Sequence, residues 1–273
     1  MTDFQKIEHY YSVFDEKNRT VDSCGKLEFM ISMDLLKKLL PTNAEILDLG
    51  GGAGVYTVPL AKSGYIMHLA DLSESLLNQA KEAIEKEGLT NVKTIQKVNA
   101  IDLSLYDNNQ FDVVILFGPL YHLLEEAERN QCISEVARVL KPNGLVFASF
   151  IPYYSGSIGI VDRLLFNPTQ VDLHNLSKVF LEGKFQNNAM VGFQEGYYPH
   201  HEEIQELFNE HGFEEILLRS IRSFGYNREK EILQLKETNP QLFSALMDLI
   251  NLTATDKYML ETCAHAMYVG KLK

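Results

Sequence analysis

The chain has 273 residues, 45% of them hydrophobic, enough to bury one large α/β core or one domain with a cap. A formal net charge of −12, a pI near 5.1 and scattered lysines and arginines oppose a phosphate backbone, so no nucleic-acid partner is expected. There is no run of eighteen apolar residues and no basic-then-apolar leader, which predicts a cytoplasmic protein with no membrane partner; Cys24, Cys132 and Cys263, odd in number and far apart, read as reduced thiols rather than a disulfide framework or a metal set, and no metal is expected.

Residues 1–40 read as an N-terminal helical cap, with Leu35, Leu36, Leu39 and Leu40 on one face before Pro41 stops the helix. Strands are expected at 45–49, 66–70, 92–97, 111–117 and 145–151, the fourth being a continuous apolar run of the kind buried on both faces. Helices alternate between them; Ser73 is placed to cap a helix over 74–87 and Gly88 to stop it. That rhythm makes 41–150 a parallel-sheet core with its ligand crevice outside the carboxyl ends of the strands. After Phe150 it breaks: residues 151–200 carry Tyr153, Tyr154, Phe166, Phe180, Phe185, Phe193, Tyr197 and Tyr198 among Gly, Asn and Ser. Either this insertion is a lid over the substrate, or its aromatics only pack a small helical subdomain. Residues 201–273 complete the core with helix 201–211, strand 213–221, helices around 228–237 and 239–253, and strand 265–271.

The most telling stretch is Glu45-Ile46-Leu47-Asp48-Leu49-Gly50-Gly51-Gly52-Ala53-Gly54, an apolar strand running into a glycine turn and then a helix. Gly50, Gly52 and Gly54 let the main chain turn tightly and approach a ligand, and the following helix aims free N–H groups at it. A dinucleotide fingerprint needs its third glycine at position 55, where this chain has Val55. That argues against NAD and for S-adenosylmethionine.

Later segments continue the pattern in order: Tyr65 to Ser73 ending a second strand at Asp71, Val98-Asn99-Ala100-Ile101-Asp102, Phe111 to Leu123 with Gly118-Pro119-Leu120-Tyr121-His122-Leu123, and Val139 to Gly144. With the ending Ala264 to Gly270, these resemble bacterial small-molecule members of the class I S-adenosylmethionine-dependent methyltransferases, type 11 and type 25 domain group. The resemblance is strong over about 45–150. It implies a Rossmann-like, doubly wound, mostly parallel seven-stranded sheet with an antiparallel C-terminal hairpin. It further implies transfer of a methyl group from S-adenosyl-L-methionine to a small organic acceptor, with S-adenosyl-L-homocysteine as product, in a monomer or homodimer.

The same resemblance assigns residues. Gly50, Gly51 and Gly52 would hold the methionine part of the cofactor, Asp71 the ribose diol, Leu72 one adenine face, and Asn99, Ala100 and Ile101 the adenine edge. Asn99 departs from the Asp common in relatives and accepts only through its amide oxygen; Asp102 either substitutes for it or is a solvated turn residue. Asp48 supports the turn, or receives the cofactor's ammonium through water, or only ties up loop N–H groups, while Phe117 and Gly118 face the cofactor. Tyr121 and His122 stand at the methyl position, where His122 is either a base or only orders the loop. Tyr10, Tyr11, Phe14 and Arg19 resemble a segment folding over the cofactor, with Tyr11 and Arg19 on the cofactor and Tyr10 and Phe14 toward substrate, or else they are helix packing. His200 is a second base candidate, and Tyr153, Tyr197 and Tyr198 are expected to line the substrate pocket. Two rivals share much of this: an NAD-dependent oxidoreductase and a non-catalytic S-adenosylmethionine-binding module. A metalloid acceptor is disfavoured because the cysteines form no thiolate cluster in sequence.

Overall fold

The computed structural model describes residues 2–13, 22–170, 176–187 and 193–273. Helices α1 (Phe4–Val13) and α2 (Ser23–Leu39) precede strand β1 (Glu45–Leu49). Asp22 Oδ1 accepts the Gly25 N–H at 2.7 Å to start α2, and Lys37 and Lys38 occupy its last turn, where they oppose the helix dipole. Leu27, Ile31, Leu35 and Leu36 form its buried stripe, so the expected apolar face extends two turns further toward the N-terminus.

The core continues with α3 (Thr57–Lys62), β2 (Ile66–Asp71), α4 (Glu74–Lys86), β3 (Val92–Lys97), β4 (Phe111–Phe117), α5 (Glu126–Val139) and β5 (Leu140–Phe150). As expected, Ser73 Oγ accepts the Leu76 N–H at the start of α4, and Gly88 adopts φ 63° just beyond its end. β5 begins five residues before the expected Leu145, because Leu140 already pairs with Phe111 before the register shifts to Leu145 opposite Val113. The stretch Val139 to Gly144 turns inside that irregularity, with Asn143 at φ 67°.

After β5 come α6 (Tyr153–Phe166), α7 (Leu176–Glu182), the short pair β6 (Lys184–Gln186) and β7 (Glu195–Tyr197), and α8 (His201–Glu210). β8 (Phe213–Ser220), α9 (Glu229–Thr238), α10 (Pro240–Thr253), α11 (Lys257–Thr262) and β9 (Ala266–Leu272) complete the chain. The large sheet has seven strands in the order β3-β2-β1-β4-β5-β9-β8; β1 to β5 are parallel, and β9 runs antiparallel to both β5 and β8. This is the doubly wound, mostly parallel architecture with an antiparallel C-terminal pair. Alternation along the central strands sorts the core into two layers: Ile46, Val113, Ile115 and Phe147 pack toward α2, α9 and α10, while Leu47, Leu49, Val114 and Leu116 pack toward α5 and α8. The chain winds outward from β1 to β3 and then restarts at β4, so the switch point lies between β1 and β4.

The segment following β5 builds a separate aromatic core in which Phe185, Phe193 and Tyr198 bury themselves with Tyr121, Ile160 and Val179. Packing of a small subdomain therefore accounts for these three aromatics. Tyr154, Phe166 and Phe180 stay exposed. Gly156 lets α6 lie directly on the Tyr198 ring, since a Cβ there would stand 2.1 Å from Tyr198 Cγ. Gly156→Ala is therefore expected to destabilise the protein by about 1–3 kcal/mol, read as a lowered denaturant midpoint; an unchanged midpoint would show that the ring is free to retreat.

Candidate active site

At the switch point a cavity of about 1200 Å³, counting its open mouth, lies across the tips of β1, β2 and β4. Its floor is the glycine turn. Gly50 sits at φ 79°, and a Cβ on it would stand 2.6 Å from Pro119 Cδ; one on Gly51 would stand 2.4 Å from Leu69 Cδ1. Side chains at either position would push the turn off both neighbouring strands. The Gly50 and Gly51 N–H groups both donate to the Ala70 carbonyl, at 2.7 and 3.2 Å.

Asp71 ends β2 facing this turn. Its Oδ2 accepts the Gly52 N–H at 2.8 Å and its Oδ1 the Ser73 N–H at 2.7 Å, which fixes the carboxylate plane at the cavity wall. Asp48 is fully buried beside it, with Oδ2 accepting from the Thr57 hydroxyl at 2.6 Å and Oδ1 without a hydrogen-bond partner. Burial pushes the Asp48 carboxyl up to about 7, opposed by the Thr57 hydrogen bond and reinforced by the nearby Asp71 charge. A buried carboxylate oxygen that no protein donor satisfies, on the floor of a cavity, suits a ligand cation.

The far wall comes from the loop after β4 and from the first two helices. Tyr121 and His122 both line the cavity. The His122 ring is buried, and its Nδ1 lies 3.0 Å from the Glu195 carbonyl oxygen, which can only accept. Nδ1 therefore carries the hydrogen and Nε2 is the basic nitrogen, accepting from the Tyr11 hydroxyl at 2.9 Å. Phe4, Ile7 and Tyr11 form one stripe of α1 over the cavity. Glu195 anchors that helix as well, its Oε2 taking the Asp3 N–H at 2.8 Å, and Thr2 bonds to Glu128. Burial raises the Glu195 carboxyl above its ordinary range.

Of the residues expected from sequence, the cavity brings together Tyr11, Asp48, Gly50, Gly51, Gly52, Asp71, Leu72, Asn99, Ala100, Phe117, Gly118, Tyr121 and His122. Phe14 and Arg19 lie outside the described residues. Ile101 does not line it; its N–H donates to Asn99 Oδ1 at 3.3 Å. Asp102 is the solvated turn residue, accepting the Ser104 N–H at 3.0 Å; the Ser104 hydroxyl first, and then this N–H, hold its carboxyl below the ordinary range. The expected substrate tyrosines are elsewhere. Tyr10 packs edge-on against Phe193, Tyr198 is buried in the aromatic core, and Tyr197 lies under the Arg129 guanidinium at 3.6 Å with its hydroxyl on Glu203. Tyr153 stacks on His200 at 4.5 Å, and both are outside the cavity wall. Their rings point where local packing needs area, which proximity in sequence does not encode.

The sequence reading missed the α2 side of the wall, Gly25, Glu28, Phe29 and Ser32, together with Tyr56, Ser149 and Ile221. The α2 residues recur at i, i+3, i+4 and i+7, a stripe next to the buried leucines that helical spacing alone exposes. Glu28 is buried, with both carboxylate oxygens 2.9 Å from His265 Nδ1 and one 3.4 Å from Arg222 Nε.

A strand-turn-helix clamp with a buried acid at the tip of β2, on this strand order, is the arrangement of the class I S-adenosylmethionine-dependent methyltransferase fold. Residues 46–144 match the family model described as a methyltransferase domain, and the cofactor of that domain is S-adenosylmethionine. The chain is 37% identical over 102 residues to a putative methyltransferase of Geobacillus sp. (strain WCH70), covering 37% of this chain and 40% of that protein. It is 35% identical over 102 residues to a ubiquinone biosynthesis O-methyltransferase of Methylococcus capsulatus, covering 37% and 41%. These matches span about two fifths of the length of either relative. A solved S-adenosylmethionine-dependent methyltransferase from Methanosarcina mazei shares the fold at TM-score 0.60 and 19% identity, covering 87% of this chain and 96% of that one.

The raised Asp48 carboxyl sets a pH test. The folded form binds more protons than the unfolded chain between the ordinary carboxylate range and about 7, so ligand-free stability should fall as pH rises through that interval. Affinity for a cationic ligand should move oppositely, rising from about pH 5.5 to about 8 by up to roughly tenfold per unit below 7. Asp48→Asn should flatten both profiles in denaturant melts and calorimetry; slopes equal to wild type would remove Asp48 from the floor chemistry.

Proposed function

We propose that the protein transfers the methyl group of S-adenosylmethionine to a small organic acceptor by in-line displacement, releasing S-adenosylhomocysteine. What supports the reading most is the continuity of one cavity from the glycine turn and Asp71 to a second wall carrying Tyr11, His122, Glu28 and Ser32. In our reading the cofactor's ribose diol sits on the remaining lone pairs of Asp71, its ammonium on Asp48 Oδ1, and its adenine between Leu72 and Ala100. Asn99 Oδ1 accepts the Ile101 N–H and keeps a second lone pair for the exocyclic amine, while its amide nitrogen offers donors to the adenine ring nitrogens.

The sulfonium supplies an activated methyl, so the protein chiefly aligns the nucleophile and excludes water. We assign the proton path to Tyr11 and His122. As the acceptor oxygen forms its bond to the methyl carbon, the carbon–sulfur pair leaves on sulfur; the acceptor proton passes to Tyr11 Oη while the Tyr11 proton passes to His122 Nε2. The imidazolium so formed keeps its Nδ1–H on the Glu195 carbonyl. The O-methyltransferase relative supports a hydroxyl acceptor. We assign residues 1–40 as a cap and 151–200 as a lid, the latter touching the cavity through Tyr121 rather than through its own tyrosines.

Calorimetry with S-adenosylmethionine, S-adenosylhomocysteine and NAD tests the cofactor assignment; binding of NAD alone would end it. Asp71→Ala should weaken cofactor binding by about 1–3 kcal/mol, and unaltered affinity would count against its role. With a panel of small hydroxyl compounds assayed by S-adenosylhomocysteine release, Tyr11→Phe and His122→Gln should each slow turnover by about 10²–10⁴-fold, and the double variant by little more than either. Independent, multiplying losses would separate the two residues.

A further inference from the structure

Away from the cavity, the start of α8 meets the end of α11 in a cluster that methyl transfer does not use. Glu261 of α11 is 8% exposed. Its Oε1 accepts the His201 backbone N–H at 2.9 Å and the His201 Nδ1–H at 2.6 Å. Its Oε2 is buried with no hydrogen-bond partner and faces His200 Nδ1 across 3.7 Å. The Glu202 carboxylate closes the group: one ligating atom from each of His200, Glu202 and Glu261 lies within 4.8 Å of the others. Both ion pairs of Glu261 among the described residues are to histidine, so no lysine or arginine offsets the two carboxylates.

We propose that His200 Nδ1, Glu202 and Glu261 Oε2 bind a divalent transition-metal ion, zinc in preference to magnesium or calcium. A direct charged bond would draw His200 to about 2.7–2.9 Å of Oε2, shorter than the gap present. Two ligands of one tetrahedral ion, each bonded at about 2.0–2.2 Å, stand roughly 3.3–3.5 Å apart, close to that gap. Glu202 is exposed and its Oε2 lies 3.0 Å from His201 Nδ1, a contact it would exchange for the ion. An imidazole with two carboxylates favours zinc-like ions over the all-oxygen sites of hard cations, and three protein ligands leave a fourth position for water. The His201 Nδ1–H on Oε1 holds the carboxylate in place, as partners behind metal ligands do.

The location gives the ion a role. Tyr153, the first residue of α6, stacks on His200 and donates its N–H to the Pro199 carbonyl at 2.8 Å, and the Ser155 hydroxyl donates to the Glu261 carbonyl at 3.1 Å. A bound ion therefore pins α8, α11 and the root of α6, where the segment we assign as a lid leaves the sheet. The ligand set stands on its own geometry and does not depend on the methyl-transfer reading.

The test is titration of the chelator-stripped full chain with Co²⁺. One equivalent should develop visible d–d bands, and Zn²⁺ should abolish them and raise the melting temperature. His200→Ala and Glu261→Gln should each weaken Zn²⁺ binding by more than about 100-fold, and His201→Ala by about 10–100-fold. A wild-type chain without d–d bands overturns the proposal whatever the variants do, and so do bands that survive in His200→Ala and Glu261→Gln.

Discussion

The structure turns on the hydrogen bond from the Gly52 N–H to Asp71 Oδ2. With the Gly50 and Gly51 N–H groups on the Ala70 carbonyl, it fastens the turn after β1 to the tip of β2 on the floor of the cavity. Bonds of this kind to a charged acceptor contribute about 1.5–3 kcal/mol each, more than neutral ones. The clamp exists only because Gly50 and Gly51 carry no side chain, since a Cβ would meet Pro119 or Leu69. Lose the clamp and the loop after β4, which rests on Gly50 through Pro119, loses its seat as well.

Two carboxylates share that floor and differ by their partners. Asp71 accepts a backbone N–H on each of its oxygens. Asp48 has one hydroxyl donor and one open oxygen, and burial leaves it close to half protonated near neutrality. In the proposed function the first would anchor neutral hydroxyls, and the second would respond to an incoming cation. On the opposite wall, the Glu195 carbonyl does comparable work for His122 by dictating which ring nitrogen is basic.

Strands β1 to β4 lay within one residue of their expected bounds; in β1, β2 and β4 largely apolar runs bounded by turns leave little choice of assignment, while β3 has only Val92 and Ile95 as apolar residues. The part of the cavity wall beside the glycine turn was equally legible, since Asp48 to Gly52, Asp71, Leu72 and Phe117 to His122 are contiguous motifs at strand tips. The acceptor wall was less so: Ser149 and Ile221 converge only through the order of β5, β9 and β8, while the Gly25, Glu28, Phe29 and Ser32 stripe was present in the spacing and overlooked beside the leucines. The tyrosines after β5 misled because an aromatic ring buries itself wherever area is available, and here Gly156 and Arg129 supplied it. His200 and Glu261 are too far apart in sequence for any ligand spacing to reveal them.

The claim beneath the functional reading is that the reactive methyl points at Tyr11 and His122. Isotope-edited NMR of the complex with S-adenosylmethionine labelled at its methyl carbon reads this directly, through dipolar contacts from the methyl protons to assigned ring protons. Contacts to the Tyr11 and His122 rings are the predicted result. Contacts confined to Leu72 and Leu76 would place the methyl at the other end of the cavity and contradict the account.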